Sequence, residues 1–316
     1  MNNIQEILSY FPRRIAQELQ NQFQKNMPVD GPNLLEEIRI RAQKPIILKF
    51  TDTEKILDHL LVSSEEVIEI LQSICNHSIY SYQNQICSGY ITIKGGHRIG
   101  ITGSAVMVDG KVTNLNYISS LNFRISKQII GASNRILKYV LNVEENTIYN
   151  TLLVSPPGAG KTTMLRDLVR KVSNGMDQIQ FQGQTVALVD ERGEIASMYK
   201  GIAQNEVGVR TDILDNIPKD IGMKQLIRSM APQVLVADEI GGSSDVEAIL
   251  YAVCCGIKGI FTAHGACMEE LEDNPALSKL LKSHRMERII FLDEKRKGEL
   301  KEVYRYSQMN GEYVLA

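Results

Sequence analysis

The residues with the clearest chemistry in this sequence are Ser155, Pro156, Pro157, Gly158, Ala159, Gly160, Lys161, Thr162 and Thr163. They follow an apolar run ending Leu152-Leu153-Val154 and open a helix-like segment at residues 164–169. Strand, Gly-rich turn, Lys-Thr and helix form the phosphate-cradling arrangement known as a P-loop. Successive backbone N–H groups and the positive end of the helix converge on one spot, where a polyphosphate fits. Lys161 is expected to reach the β- and γ-phosphates and the Thr162 hydroxyl to ligate Mg²⁺. The usual pattern begins with Gly, where this chain has Ser155. Gly158 and Gly160 nevertheless stand where backbone must come closest to phosphate.

Three further polar clusters follow apolar strands. Residues 186–189 lead into Asp190-Glu191-Arg192-Gly193-Glu194, residues 234–237 into Asp238-Glu239, and residues 259–262 into Ala263-His264-Gly265. With residues 289–292, these short apolar runs alternate with helical or polar stretches, which predicts a mostly parallel sheet covered on both faces. A ligand then sits at the carboxyl ends of the strands, so the three clusters are expected to converge on the phosphates. Phosphoryl transfer needs charge neutralisation and a positioned nucleophile more than covalent help. Asp238 is accordingly expected to hold Mg²⁺ through water, and Glu239 to orient and polarise the attacking water. His264 is placed to sense the γ-phosphate, and Arg228 to contact phosphate in cis or in trans. Asp238-Glu239-Ile240-Gly241 also matches the D-x-x-G of GTPases, but no N-K-x-D base-reading motif occurs, so ATP is expected over GTP.

The elements that must carry these residues divide the chain in two: a smaller α+β domain over 1–130 and a P-loop NTPase core over 131–316. In the first, Ile4, Ile7, Leu8, Phe11, Ile15 and Leu19 have helical spacing broken by Pro12, and 27–32 is a loop. Residues 37–41 and 45–50 read as strands, 63–74 as a helix, and 90–101 as a hairpin turning at Gly95-Gly96, with a further turn at Asp109-Gly110. Arg39, Arg41, Arg98 and Arg124 lie on strands and could face a neighbouring subunit's nucleotide or simply solvent. In the second half, residues 132–141 read as a helix capped by Ser133.

Composition narrows the function classes. The 316 residues suffice for two domains. A net charge of −2 supplies no basic field, so nucleic acid is not an expected partner. The 5 cysteines include no C-x-x-C pair, which disfavours a disulfide framework or a four-thiolate zinc site and favours a reducing cytosol. No transmembrane helix or signal peptide is expected, so any membrane role would run through partners.

The order of P-loop, acidic strand end, Asp-Glu strand and Thr-Ala-His-Gly resembles the secretion-type ATPases of type II and type IV systems, whose corresponding stretches are the Walker A, Asp, Walker B and His boxes. Residues 190–194 resemble the Asp box, which usually carries Glu-Asp in place of Asp-Glu-Arg-Gly. The resemblance implies a RecA-like core and adds Glu191 to the expected catalytic set of Lys161, Glu239 and His264. Residues 189–195, 208–215 and 227–233 further resemble the family of stage III sporulation AA proteins. That resemblance is specific through 150–270 and thinner over 1–130. It implies a cytoplasmic, hexameric ATPase in the mother cell of an endospore-former. Such an ATPase would be peripheral at the membrane, powering a transenvelope complex to the forespore through that complex's membrane proteins. Competing readings are an AAA+ remodeller, which would end in a helical lid, a nucleic-acid translocase, and a nucleotide-gated scaffold with little turnover.

Overall fold

The computed structural model describes residues 2–26 and 35–316; the loop expected over 27–32 lies outside the described residues. The chain divides into two compact units, Met1–Lys127 with Tyr199–Gln204, and Gln128–Met198 with Asn205–Ala316.

In the first unit, Pro12 separates α1 (Asn2–Leu8) from α2 (Arg13–Asn26), because proline removes an amide and clashes with the preceding turn. Strands β1 (Leu35–Arg41), β2 (Lys44–Phe50) and β3 (Glu54–Val62) form a meander, followed by α3 (Ser64–Ile74). Ser63 caps α3: its hydroxyl accepts from the Glu66 amide while Glu66 accepts from the Ser63 amide, a reciprocal capping box. After α4 (Gln83–Cys87) come β4 (Tyr90–Thr92), β5 (Arg98–Val108) and β6 (Lys111–Arg124). The sheet order is β3-β2-β1-β6-β5-β4. Residues 119–124 are the end of a long hairpin arm.

Alternation sorts this sheet into two faces. Ile38, Ile40, Ile99, Leu121 and Phe123 join one apolar cluster with Phe11, Ile15 and Leu19 of the helices. Register then places Arg98, Arg124 and Glu37 in one cross-strand row, Arg39 opposite Asn122 and Arg41 opposite Ser120. All four arginines therefore share the face away from the core. Arg39 pairs with Glu37, and the Arg98 guanidinium lies 4.4 Å from the Tyr90 ring centre.

The second unit begins with a short helix, α5 (Leu137–Val140). It continues with β7 (Thr151–Ser155), α6 (Lys161–Asn174), β8 (Val186–Asp190), β9 (Thr211–Asp215), α7 (Lys219–Met230) and β10 (Val234–Ala237). Then come α8 (Ser243–Cys254), β11 (Lys258–His264), α9 (Met268–Asp273), α10 (Pro275–Lys282), β12 (Arg288–Leu292), β13 (Leu300–Ser307) and β14 (Glu312–Leu315). The order is β9-β8-β10-β11-β7-β12-β13-β14. From β9 to β12 every neighbour is parallel, and β13 and β14 extend the sheet antiparallel. The strands β7, β8 and β10 are buried at every residue, which explains their unbroken apolar runs. The fold is an α/β RecA-like P-loop core. Beyond β11, two short helices and three strands stand where a helical lid would be.

The helix expected over 132–141 is reduced to Leu137–Val140. Ser133 does not cap it, because its amide and hydroxyl are both committed to Asp167 of α6.

Candidate functional site

β7 delivers the chain to the C-terminal edge of the sheet, where α6 begins. Ser155 is still a buried strand residue, its hydroxyl donating to the Pro156 carbonyl at 3.0 Å. It needs no left-handed conformation, so serine serves where the usual pattern has glycine. Gly158 and Gly160 do need it, with φ of 80° and 93°. Gly160 is the N-cap of α6 and no side chain caps it, so the first-turn amides of a 14-residue helix point outward unsatisfied. An anion at this end of α6 would meet those amides and the positive end of the helix.

Lys161 is 6% exposed. Its Nζ donates to the carbonyls of Ser155 (3.3 Å) and Ala263 (3.1 Å) and to His264 Nδ1 (3.2 Å). Burial depresses its pKa, and the carboxylates of Asp238 and Glu239 work against that shift. Ser155 and His264 are register partners on adjacent strands, which explains how one ammonium touches both.

Asp238 ends β10. Its Oδ2 accepts from the Thr162 hydroxyl at 2.9 Å and its Oδ1 from the Thr262 hydroxyl. Thr262 also accepts from the Glu239 amide at 2.7 Å. Glu239 has φ 52°, an uncommon conformation for a residue with a side chain. It is held by that amide bond and by another to Asp238 Oδ1 at 3.1 Å. The Glu239 carboxylate pairs with His264 Nε2 at 3.3 Å through one oxygen and with Arg192 through the other. Because Lys161 Nζ carries only N–H groups, His264 Nδ1 is the acceptor there and Nε2 the donor to Glu239. Lys161, Thr162, Asp238, Glu239 and His264 thus form one contacting cluster.

Other candidates stand apart from it. Asp190 spends its carboxylate on the amides of Glu194 (2.8 Å), Ile195 (3.1 Å) and Ala196 (2.8 Å), and so shapes its own loop. Glu191 pairs with Lys219 at the start of α7 and shares a narrow cleft with Arg192, Asp238 and Glu239. Arg228 lines an open groove on α7 with Ile221, Lys224 and Gln225. Sequence reasoning missed Thr262, the residue that orients both acids; a lone hydroxyl in an otherwise apolar strand was its signal. It also assigned no part to Arg192.

The hydroxyl of Thr162 beside one Asp238 oxygen is a hard-oxygen pair that suits Mg²⁺. Among the described residues no group of three or more His, Cys, Asp or Glu could hold a metal ion by itself. An ion here would need phosphate oxygens to complete its shell, as Mg²⁺–nucleotide does.

The fold and P-loop define a class. Over 95% of this chain and 82% of the other, the structure is similar to the Legionella pneumophila ATPase DotB, with TM-score 0.60 at 14% identity. It is also similar to the pilus retraction motor PilT with bound ADP, with TM-score 0.53 at 15% identity, covering 89% of this chain and 78% of that one. The architecture is therefore that of the RecA-like secretion ATPases. Within that architecture, the family model for Sporulation stage III, protein AA matches residues 1–311, and the chain belongs to that family. Stage III sporulation protein AA of Bacillus subtilis (strain 168) is 36% identical over 271 residues, 85% of this chain and 86% of the relative.

Proposed function

We propose that this protein is a Mg²⁺-dependent ATP hydrolase of the secretion-motor type. The observation that carries the reading is the Lys161–Thr162–Asp238–Glu239–His264 cluster at the uncapped start of α6. The backbone of Ser155, Pro156, Pro157, Gly158, Ala159 and Gly160, with Thr163 in the first helical turn, would cradle the phosphates. Lys161 would exchange its carbonyl partners for phosphate oxygens. Thr162 and Asp238 would hold Mg²⁺, which when bound neutralises phosphate charge. Glu239 would take the water proton, and His264 would report an occupied γ-position to it. Glu191, paired with Lys219, would act on Glu239's surroundings and not on the nucleotide directly.

Copies of the chain would form a closed ring, hexameric on the family resemblance. The arginine face of the first unit (Arg39, Arg41, Arg98, Arg124) would supply charge to a neighbour's nucleotide. Its setting would be the mother-cell cytoplasm during endospore formation, docked through membrane proteins of a transenvelope complex. The family membership and the likeness to a B. subtilis sporulation protein support that setting. Among the described residues no helix is long and apolar enough to cross a membrane. The strands that follow β11 favour this reading over an AAA+ remodeller.

The test is nucleotide binding and steady-state hydrolysis on two variants. Lys161→Ala should lose nucleotide binding. Glu239→Gln should bind ATP and hydrolyse at least about 100-fold more slowly, the scale expected when a catalytic acid–base group is removed. Hydrolysis at the parental rate by Glu239→Gln would remove Glu239 from its role. Binding without turnover in the parent protein would leave a nucleotide-gated scaffold.

A further inference from the structure

We propose that Arg192 is a cis arginine for the terminal phosphate: it rests on Glu239 and transfers to the γ-phosphate when a triphosphate binds. The proposal deepens the ATPase reading above and rests on it. Both carboxylate oxygens of Glu239 are engaged, one by His264 Nε2 and the other by Arg192 Nη1. The Arg192 guanidinium thus occupies a lone pair of Glu239 that an attacking water could otherwise use. Of the two, His264 is anchored through its other nitrogen to Lys161, whereas the Arg192 side chain is 63% exposed. Exposed ion pairs contribute little, since water screens them and two side chains must be ordered. A phosphate offers a planar guanidinium two parallel hydrogen bonds to a more highly charged acceptor. The exchange therefore runs toward phosphate.

The backbone under Arg192 is built for such a swing. Asp190 clamps the amides of residues 194–196. Arg166 of α6 donates to the carbonyls of Ile195 (2.7 Å) and Glu194 (2.6 Å). The loop that carries Arg192 is thereby tied to the helix whose first turn would receive the phosphates. Only a flexible side chain needs to move. Lys161, His264, Glu239 and Arg192 form a continuous chain of contacts. Arg192 is thus linked to Lys161 through His264 and Glu239, and in the proposal a γ-phosphate at Lys161 would withdraw Arg192 and release one Glu239 oxygen for water.

The experiment compares full-length parent, R192A, R192K, E239Q and R192A/E239Q, all with Mg²⁺. Affinities for ADP and for the non-hydrolysable triphosphate AMP-PNP are measured by calorimetry, and kcat and KM for ATP in parallel. R192A should keep its ADP affinity and lose about tenfold of the preference for AMP-PNP, the scale of one charge-assisted contact. Its kcat should fall on the order of 10²-fold, as when one charge-stabilising donor is removed, and its KM for ATP should rise about tenfold with the lost ground-state contact. R192K should fall between the two. E239Q, which frees Arg192 from its resting partner, should strengthen the AMP-PNP preference, and the double variant should lose that gain. An unchanged ADP-to-AMP-PNP ratio in R192A, or an unchanged or raised kcat, would overturn the proposal. Failure of the parent reading is distinguishable: E239Q would then hydrolyse ATP normally whatever R192A does.

Discussion

Lys161 and His97 are both buried, and burial pushes both pKa values down, but their surroundings differ. Lys161 faces the carboxylates of Asp238 and Glu239, which favour its charged form. His97, 1% exposed, accepts from the Ser126 amide at 3.0 Å through Nδ1, and its Nε2 is buried without a hydrogen-bond partner among the described residues. Its pKa falls from 6.5 to about 4 because burial outweighs the attraction of Glu6. The native state therefore holds a neutral imidazole, while the unfolded chain takes up a proton below pH 6.5. Stability from this group is present above that value and is lost as pH falls toward 4. Urea denaturation should show a loss of roughly 2 kcal/mol between pH 7 and pH 5. His97→Gln should flatten that slope; an unaltered slope would assign the effect to another group.

At the level of elements, Asp167 carries a load that its place on α6 does not advertise. It is 1% exposed and accepts from the Ser133 hydroxyl (2.6 Å) and amide (2.9 Å), the Gly131 amide (3.1 Å) and Arg170 (2.7 Å). Lys171 adds an ion pair at 3.3 Å. Burial would raise the carboxyl pKa, but these donors, Ser133 foremost, outweigh it and hold the group far below the ordinary carboxylate range. Asp167 thus fastens the segment entering the second unit to the helix that opens at the P-loop. Removing it leaves the Ser133 amide, Arg170 and Lys171 without that acceptor. Asp167→Ala should destabilise the protein by about 3–5 kcal/mol, and Asp167→Asn by less. Thermal and urea unfolding check this, and a cost below about 1 kcal/mol would deny the anchor its importance.

For the whole molecule, the question is what would complete the proposed nucleotide site. Four arginines share one sheet face of the first unit, and the second unit carries the P-loop. Head-to-tail contacts between copies close into rings when the rotation allows, and each copy would then present its arginine face to the next. ATP turnover per subunit should therefore rise steeply with protein concentration, in step with the mass seen by analytical ultracentrifugation. Added polynucleotide should leave it unchanged, since a chain of net charge −2 has no general attraction for it. Turnover independent of concentration would mean that each copy holds a whole site, with Arg192 as its own cis arginine.

Residues 155–163, the apolar runs near 186, 234, 259 and 289, and the acids at 238–239 were legible without a structure. Each is a local signal: glycine where φ must be positive, buried parallel strands with no polar alternation, charge at a strand end. From these the candidate phosphate site, the class of fold and the order of its parts followed. What only tertiary structure decided was pairing. Asp190 and Asp238 both follow buried strands, yet one folds its own loop and the other joins Thr162 and Thr262. Ser133 has the credentials of a helix cap, yet Asp167 claims it. Arg192 has no local signal of its own until it meets Glu239. In each case the partner lies more than twenty residues away in sequence (Asp190 excepted), and spacing along the chain carries no record of which distant atoms a fold will bring within hydrogen-bond range.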